Sequence, residues 1–411
     1  MPEWSRRPAL LHGVRVLELA DEGSGFCGKL LADLGVEVIK VELPAASPPK
    51  DSARPGFYPS EEEPGSPGTT ENSGFDFHDS GKRRITLNYR HAAGREILLR
   101  LAERADVLLE GLVLDNGGGN RLPWETLRER NPRLVLATIT GLGDTGPHRT
   151  WRSCDLIGAA SGGQMYVTGL PGLDPVKLGG TQALYLGSLH AAVAIVMALI
   201  RRNRTGYGER LDVSLQETVA AGLDHVLVRY FADASVAGRR GHRYWNNAFF
   251  VAPCQDGWLQ VAPFQRWDTL VEWMDGESMA GPLTGPAYRD PEYRRAHFGE
   301  VERTISQWTA RHTRAELFEI AQAMGLPWAP VCTLPEVLAS PQLQDREFFV
   351  PASEAGDAIR QPAPPYLFLS QVSSVAHGLP GLPGRDNVSI YRDELGFSAT
   401  ELERLAAESV I

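Results

Sequence analysis

The chain has 411 residues, of which 43% are hydrophobic and 22% charged, an ordinary balance for a folded protein long enough for two domains. A formal net charge of −10 argues against a nucleic-acid partner, because phosphate binding needs a basic surface. No signal peptide is evident, and the longest apolar run, residues 191–200, is short for a membrane span. Four scattered cysteines without CxxC spacing predict neither a metal site nor disulfides, so we expect a reduced, cytoplasmic protein.

The first fifty residues predict a βαβ unit. Residues 14–19 form an apolar strand, residues 23–28 a turn of small residues, residues 29–34 a helix and residues 36–41 a second strand. Such units build parallel sheets, which bind ligands at the carboxyl ends of their strands. The turn lacks a full GxGxxG pattern, so a plain connection and a nucleotide-binding turn both remain open.

Strands and helices continue to alternate up to about residue 140. Residues 44–74 are rich in Pro, Ser, Gly and Glu and predict a long surface loop. The remaining predicted elements of this half are strands at 85–87, 106–109 and 134–139, and helices at 93–103 and 124–130.

The second half begins with a long apolar helix and then changes character. The predicted elements are helices at 187–201, 215–227, 334–338 and 400–408, and strands at 211–214, 249–253, 258–263 and 328–332. We therefore predict an α/β fold with a large domain built from both chain ends, residues 1–224 and 326–411, around a smaller α+β domain, residues 225–325.

Several motifs in a fixed order resemble the family III CoA-transferases, which include formyl-CoA and carnitine CoA-transferases and α-methylacyl-CoA racemase. The matching segments are 11–19 (LHGVRVLEL), 29–42 (KLLADLGVEVIKVE), 82–88 (KRRITLN), 104–110 (RADVLLE), 131–135 (NPRLV), 140–147 (TGLGDTGP), 204–214 (RTGYGERLDVS), 328–331 (WAPV) and 335–343 (PEVLASPQL). The resemblance implies a Rossmann-like large domain, a small inserted domain and two chains threaded as interlocked rings.

The resemblance also implies a chemistry. In this family an Asp carboxylate attacks an acyl-CoA thioester, a mixed anhydride forms as CoA thiolate leaves, and a second carboxylic acid takes over the CoA. Coenzyme A is therefore the expected cofactor, entering as an acyl-CoA substrate, with no metal. The expected partners are an acyl-CoA, a carboxylic acid and a second chain, identical or homologous, but neither nucleic acid nor membrane.

The nucleophile of the family is missing from its usual place. Alignment on the long apolar helix puts that Asp near Ala183 or Leu184, and no Asp or Glu lies between Asp174 and Glu209. The alternative nucleophile is Asp155, whose other interpretation is a carboxylate that orients a backbone N–H or pairs with Arg152. The His of the racemases aligns with Cys154, which is either a nucleophilic thiol or a small buried side chain.

The CoA contacts of the family fall on seven positions of this chain. They are Glu22, Gly23, Leu87, Arg90, Gly111, Leu112 and Arg152. Cationic side chains suit the phosphates of CoA, although Arg90 and Lys82 also fit ordinary solvated charges. The family's Arg after this stretch falls at Gly119, with Arg121 as a substitute.

Three functions remain open from the sequence. The chain is a CoA-transferase subunit that pairs with a catalytically complete homologue, a self-sufficient transferase, isomerase or lyase that uses Asp155, or a non-catalytic acyl-CoA-binding scaffold. Aromatic residues suggest a bulky or aromatic acid as substrate. They are Phe57, Tyr58, Tyr244, Trp245, Phe249 and Phe250.

Overall fold

A computed structural model describes residues 9–19, 23–44, 77–111, 121–244, 247–353, 356–368 and 381–411. The predicted loop at 44–74 lies outside these residues except for Pro44. The chain forms two compact units. The large unit comprises residues 1–165, 177–236 and 345–411, and the small unit comprises residues 166–176 and 237–344.

The unit bounds differ from the predicted domain bounds at three places. The small unit begins at 237 rather than 225, because residues 224–233 form a helix of the large unit, and it extends to 344 rather than 325. It also takes in residues 166–176, which come much earlier in the chain.

The large unit contains a six-stranded parallel sheet in the order β3-β2-β1-β4-β5-β6, which confirms the predicted α/β class. The strands are β1 Arg15–Leu19, β2 Glu37–Glu42, β3 Arg83–Thr86, β4 Val107–Glu110, β5 Val135–Thr140 and β6 Arg210–Ser214. The helices are α1 Gly25–Asp33, α2 Ala92–Ala102, α3 Trp124–Arg130, α4 Asp155–Ser161, α5 Gln164–Val167, α6 Gln182–Thr205, α7 Leu215–Ala221 and α8 Asp224–Asp233.

Both faces of this sheet are covered, as expected for parallel strands. Alternate side chains of the four inner strands, β1, β2, β4 and β5, enter two hydrophobic cores. One core holds Leu17, Leu108 and the penultimate residue Val410, and the other holds Val16 and the residues of α1 and α6 that face the sheet. The C-terminal residues return to the large unit as a π-helix, Val388–Glu394, and a helix, Ala399–Ala407.

The small unit is built around a four-stranded antiparallel sheet in the order β10-β9-β8-β7. Its strands are β7 Arg243–Tyr244, β8 Phe249–Cys254, β9 Gly257–Val261 and β10 Ala329–Pro330. Its helices are α9 Trp267–Gly276, α10 Pro291–Ala296, α11 Phe298–Thr309, α12 Arg314–Ala323 and α13 Leu334–Leu338, with 3₁₀ turns at Gly281–Thr284 and Pro286–Arg289. A helix at Pro341–Asp345 and a hairpin of Phe349–Ser353 with Gly356–Pro362 complete the chain.

Two helices differ from their predicted bounds for physical reasons. Helix α6 begins at Gln182, five residues before the predicted start, because Asp155 accepts a hydrogen bond from its first turn. The single helix predicted over 215–227 is interrupted at Gly222 and Leu223, where the backbone of Leu223 leaves helical geometry.

Helix α6 is long and apolar enough to cross a membrane, which the ten-residue apolar run in the sequence did not predict. Half of its most apolar 18-residue window is buried in the chain, and it contacts the sheet through Ala191 and Ile195. These properties are those of a core helix of an α/β unit.

Candidate functional site

The order of the sheet strands defines a crevice in the large unit. Chain connections run in opposite directions from β1 and β4, which are neighbours, and ligands of open parallel sheets bind at such a switch point. Gly23 follows β1, Gly111 follows β4, and Leu19 pairs with Glu110 at the strand ends. Two predicted CoA contacts are thus at one edge, whereas Glu22 and Leu112 lie outside the described residues.

The next two predicted contacts follow β3 at the same edge. The Leu87 side chain is fully buried in the core, and its backbone N–H donates to the Glu42 carbonyl at 2.7 Å. Its own carbonyl accepts from Tyr89 at 3.0 Å. Leu87 therefore supports the edge of the sheet through its buried side chain and its backbone hydrogen bonds. The Arg90 side chain, in contrast, is exposed.

Three cations considered from the sequence have different surroundings. Lys82 is buried, with its Nζ 2.6 Å from Glu18 Oε2 and 2.9 Å from the Gly25 carbonyl oxygen, so the solvated-charge interpretation of Lys82 is wrong. Arg121, the substitute for the family's Arg, is bonded to Asp144. Arg152 is exposed just before α4.

Asp155 links the first turns of two helices. It is the first residue of α4, and its Oδ1 accepts the backbone N–H of Leu184 in α6 at 3.1 Å. Its Oδ2 lies 3.1 Å from Lys177 Nζ, which also donates to the Gly180 carbonyl. Asp155 is only 9% exposed. Its carboxylate accepts from two donors, the Leu184 N–H and Lys177, and Lys177 is its ion-pair partner. Lys177 is a lone lysine ahead of a helix, and nothing in the sequence singled it out.

The position expected for the family's nucleophile falls on Ala183 or Leu184, and both residues are buried. The Leu184 side chain is 4% exposed and packs in the core between α6 and the sheet. Cys154, which precedes Asp155 in the chain, is partly buried, and its thiol makes no hydrogen bond with any of the described residues.

The start of α6 lies beside the turn after β1. Ser188 Oγ is 3.4 Å from the Gly23 carbonyl oxygen, and the Tyr185 ring packs edge-on against Phe26 at 4.5 Å between centroids. Tyr185 Oη is also 3.4 Å from His78 Nε2. The start of α6 therefore lies beside the turn that follows β1. Because Asp155 is hydrogen-bonded to the first turn of α6, it lies at the same edge of the sheet as Gly23.

The surroundings of His78 favour its neutral form. Its pKa is lowered to about 4, chiefly by burial and also by the nearby Lys82, while Asp79 opposes the shift. No pattern in the sequence distinguishes His78, because a lone histidine outside a motif carries little information.

A buried carboxyl group marks the end of β4. Burial raises the pKa of Glu110 to about 7, with Arg121 opposing this effect and Asp144 adding to it. The Oε1 atom of Glu110 makes no hydrogen bond within the part of the chain that the structure describes. Perturbed carboxyl groups in clefts are common at functional sites, although nothing in the sequence distinguished this one from a strand-end charge.

The comparisons with known proteins identify the class. The model of CoA-transferase family III matches residues 11–387, so the chain belongs to this family. The resemblance seen in the sequence is thereby confirmed, and with it the activity of the class, the transfer of CoA between an acyl-CoA and a carboxylic acid.

Individual relatives match over nearly their whole length. The chain is 29% identical to succinyl-CoA:(R)-benzylsuccinate CoA-transferase subunit BbsE of Thauera aromatica, with 95% of each chain covered. It is 30% identical to succinyl-CoA–D-citramalate CoA-transferase of Chloroflexus aurantiacus, with 99% of each covered. A CAIB/BAIF family protein from Brucella suis shares the fold with a TM-score of 0.80 at 26% identity, covering 94% of this chain and 100% of that one.

Proposed function

We propose that this chain is one subunit of a heteromeric CoA-transferase and that a homologous partner chain supplies the nucleophilic carboxylate. The observation that carries the proposal is the buried Leu184 at the start of α6, in a stretch without Asp or Glu from 175 to 208. A relative that is named as a subunit supports it. Succinyl-CoA is the proposed donor, after the names of the relatives, and the cytoplasm is the proposed location.

In this proposal the large unit binds CoA at the edge described above. Gly23 and Gly111 allow a ligand to approach the backbone closely at the strand ends, and Arg90 and Arg152 are exposed cations for its phosphates. Asp155 holds the start of α6 in place and does not react. The second chain is proposed to interlock with this one, as the family resemblance implies.

A second candidate keeps the chemistry within this chain. The Asp155 carboxylate contacts the N–H of Leu184, and the family's nucleophile is expected at Ala183 or Leu184. Attack of Asp155 on the thioester carbonyl would break the C–S bond, release CoA thiolate and form an acyl-aspartyl anhydride. Thiolate attack on the aspartyl carbonyl would then release the first acid and leave an aspartyl-CoA thioester, from which the acceptor acid takes the CoA.

One experiment separates the two candidates. The purified chain is incubated with succinyl-CoA, and its intact mass is measured, with Asp155→Asn as the matched variant. The subunit proposal expects CoA to bind without a covalent adduct, and expects turnover only after a homologous chain with the family's Asp is added. An adduct that maps to Asp155 and disappears in the variant would contradict it and establish the second candidate.

A further inference from the structure

The small unit contains a cavity of 660 Å³ that lies entirely within its own residues. Its lining comes from the segment before β7, from β8 and β9, and from α11. The lining residues are His242, Val251, Pro253, Trp258, Gly299, Glu302, Arg303 and Ser306. The volume is typical of sites for small organic molecules.

One wall of the cavity is apolar and flat. Val251 and Pro253 alternate along β8 with Phe250 and Ala252, which are fully buried in the core, so the first two side chains face away from it. Trp258 pairs with Pro253 across the hairpin and is 54% exposed. An exposed indole beside a valine and a proline offers a stacking surface for an aromatic or bulky apolar group.

The opposite wall is polar and comes from one face of α11. Glu302 is already bonded, since its Oε1 lies 2.8 Å from His242 Nε2 and its Oε2 accepts from Arg243 at 2.5 Å. Arg303 makes no ion pair or hydrogen bond with any of the residues that the structure describes. The charge of Glu302 is therefore compensated, and the Arg303 guanidinium leaves the cavity with an excess of positive charge.

We propose that this cavity is a binding site for a carboxylic acid with an aromatic or bulky apolar body. The apolar body stacks on Trp258, and the carboxylate pairs with the Arg303 guanidinium, which suits planar bidentate anions. Ser306 lies one turn further along the same face of α11 and adds a hydroxyl donor. A phosphorylated ligand would need more cations than this one free guanidinium. The proposed site does not depend on which residue is the nucleophile of the transferase, because all of its lining residues belong to the small unit.

Binding of 3-phenylpropanoate to the full chain, measured by isothermal titration calorimetry without any acyl-CoA, tests the proposal. Propanoate, which lacks the ring, and 3-phenylpropan-1-ol, which lacks the charge, are each expected to bind at least about tenfold more weakly. Arg303→Gln is expected to weaken binding of the acid by a similar factor without affecting the alcohol.

A cavity-filling variant adds a test that preserves the fold. A Cβ at Gly299 would meet open space, and Gly299 lies in a helix, so Gly299→Leu fills the cavity without strain and should abolish binding. Gly276→Leu is the matched control, because Gly276 is also helical with open space around it but does not line the cavity. Undiminished binding in Gly299→Leu, equal binding of acid and alcohol, or no binding at millimolar acid would each overturn the proposal.

Discussion

At the scale of single residues, Asp155 decides how the start of α6 is held. The N–H of a residue in a first helical turn has no partner within its own helix, and Asp155 supplies one for Leu184 from a distant part of the chain. A carboxylate near a helix N-terminus also interacts favourably with the helix dipole. The same contact therefore stabilises α6 and puts a carboxylate at the edge where we propose that CoA binds.

Two replacements of Asp155 should separate the contribution of its hydrogen bond to Leu184 from that of its ion pair with Lys177. Asp155→Ala leaves the buried Leu184 N–H without an acceptor, and we expect the free energy of unfolding to fall by about 2 kcal/mol. Asp155→Asn keeps an acceptor oxygen and loses only the ion pair with Lys177, so we expect a loss of about 1 kcal/mol or less. Urea denaturation measures both, and equal losses in the two variants would contradict the capping role.

Glu110 should make the stability of the protein depend on pH. Burial raises the pKa of Glu110 to about 7 from the 4.5 that is usual for an exposed glutamate, so the folded state holds its proton more tightly than the unfolded state does. The resulting contribution to stability is complete below pH 4.5 and is lost as the pH rises through 7. Glu110→Gln should therefore be more stable than the parent protein at pH 8, by an amount on the order of 3 kcal/mol.

The measurement is urea denaturation of both proteins between pH 4.5 and pH 8. The advantage of the variant should shrink steadily toward the acid end of this range. Glu129→Gln, at an exposed position in α3, serves as the control and should show no such trend. A constant difference across the range would mean that Glu110 does not titrate in this window.

At the scale of elements, the packing of α1 on the sheet depends on a glycine. A Cβ at Gly28 would lie 1.7 Å from Glu18 Oε2 and 2.9 Å from Lys82 Nζ, the two partners of a fully buried ion pair. Helix α1 can approach β1 only because this position has no side chain.

Gly28→Ala should therefore be strongly destabilising, even though alanine favours helices. The added methyl separates Glu18 from Lys82, and a buried charge without its partner costs several kcal/mol, so we expect a loss of about 3 kcal/mol or more. Gly276→Ala, in α9 with open space around its Cβ, should change stability by less than about 1 kcal/mol. Thermal denaturation of the two variants is the test, and similar melting temperatures would refute the packing argument.

At the scale of the whole molecule, α6 carries an apolar stripe that none of the residues described by the structure covers fully. Leu189, Val193, Met197 and Ile200 recur every three or four residues along the helix and are 45–64% exposed. Exposed apolar surface of this extent is typical of subunit interfaces. The stripe therefore agrees with the proposed assembly of two chains.

A charge in this stripe should weaken the assembly. Val193→Asp would place an unpaired carboxylate in the interface, and we expect at least about hundredfold weaker association. Sedimentation velocity over a range of concentrations measures it. Asn203→Asp, at an exposed polar position of the same helix, is the control that adds the same charge and should leave association unchanged. A Val193→Asp protein that assembles normally would exclude the stripe from the interface.

Much of the large unit could be predicted from local patterns. Each apolar strand of the parallel sheet was predicted to within about two residues, because buried parallel strands are short continuous apolar runs whatever their neighbours. The strand order and the exact bounds of the two units were not predictable in this way. They depend on which segments pack together, and residues 166–176 join a unit whose main part begins 60 residues later.

The sequence by itself determined the family, the alternation of strands and helices, and the absence of an Asp or Glu between 174 and 209, since all three are properties of order along the chain. Only the tertiary structure decided that Lys82 is buried against Glu18, that Asp155 pairs with Lys177 and caps α6, and that the cavity of the small unit joins Trp258 to Arg303. Apart from the Asp155–Lys177 pair, these contacts join residues at least 29 positions apart, and all depend on packing that no local pattern records.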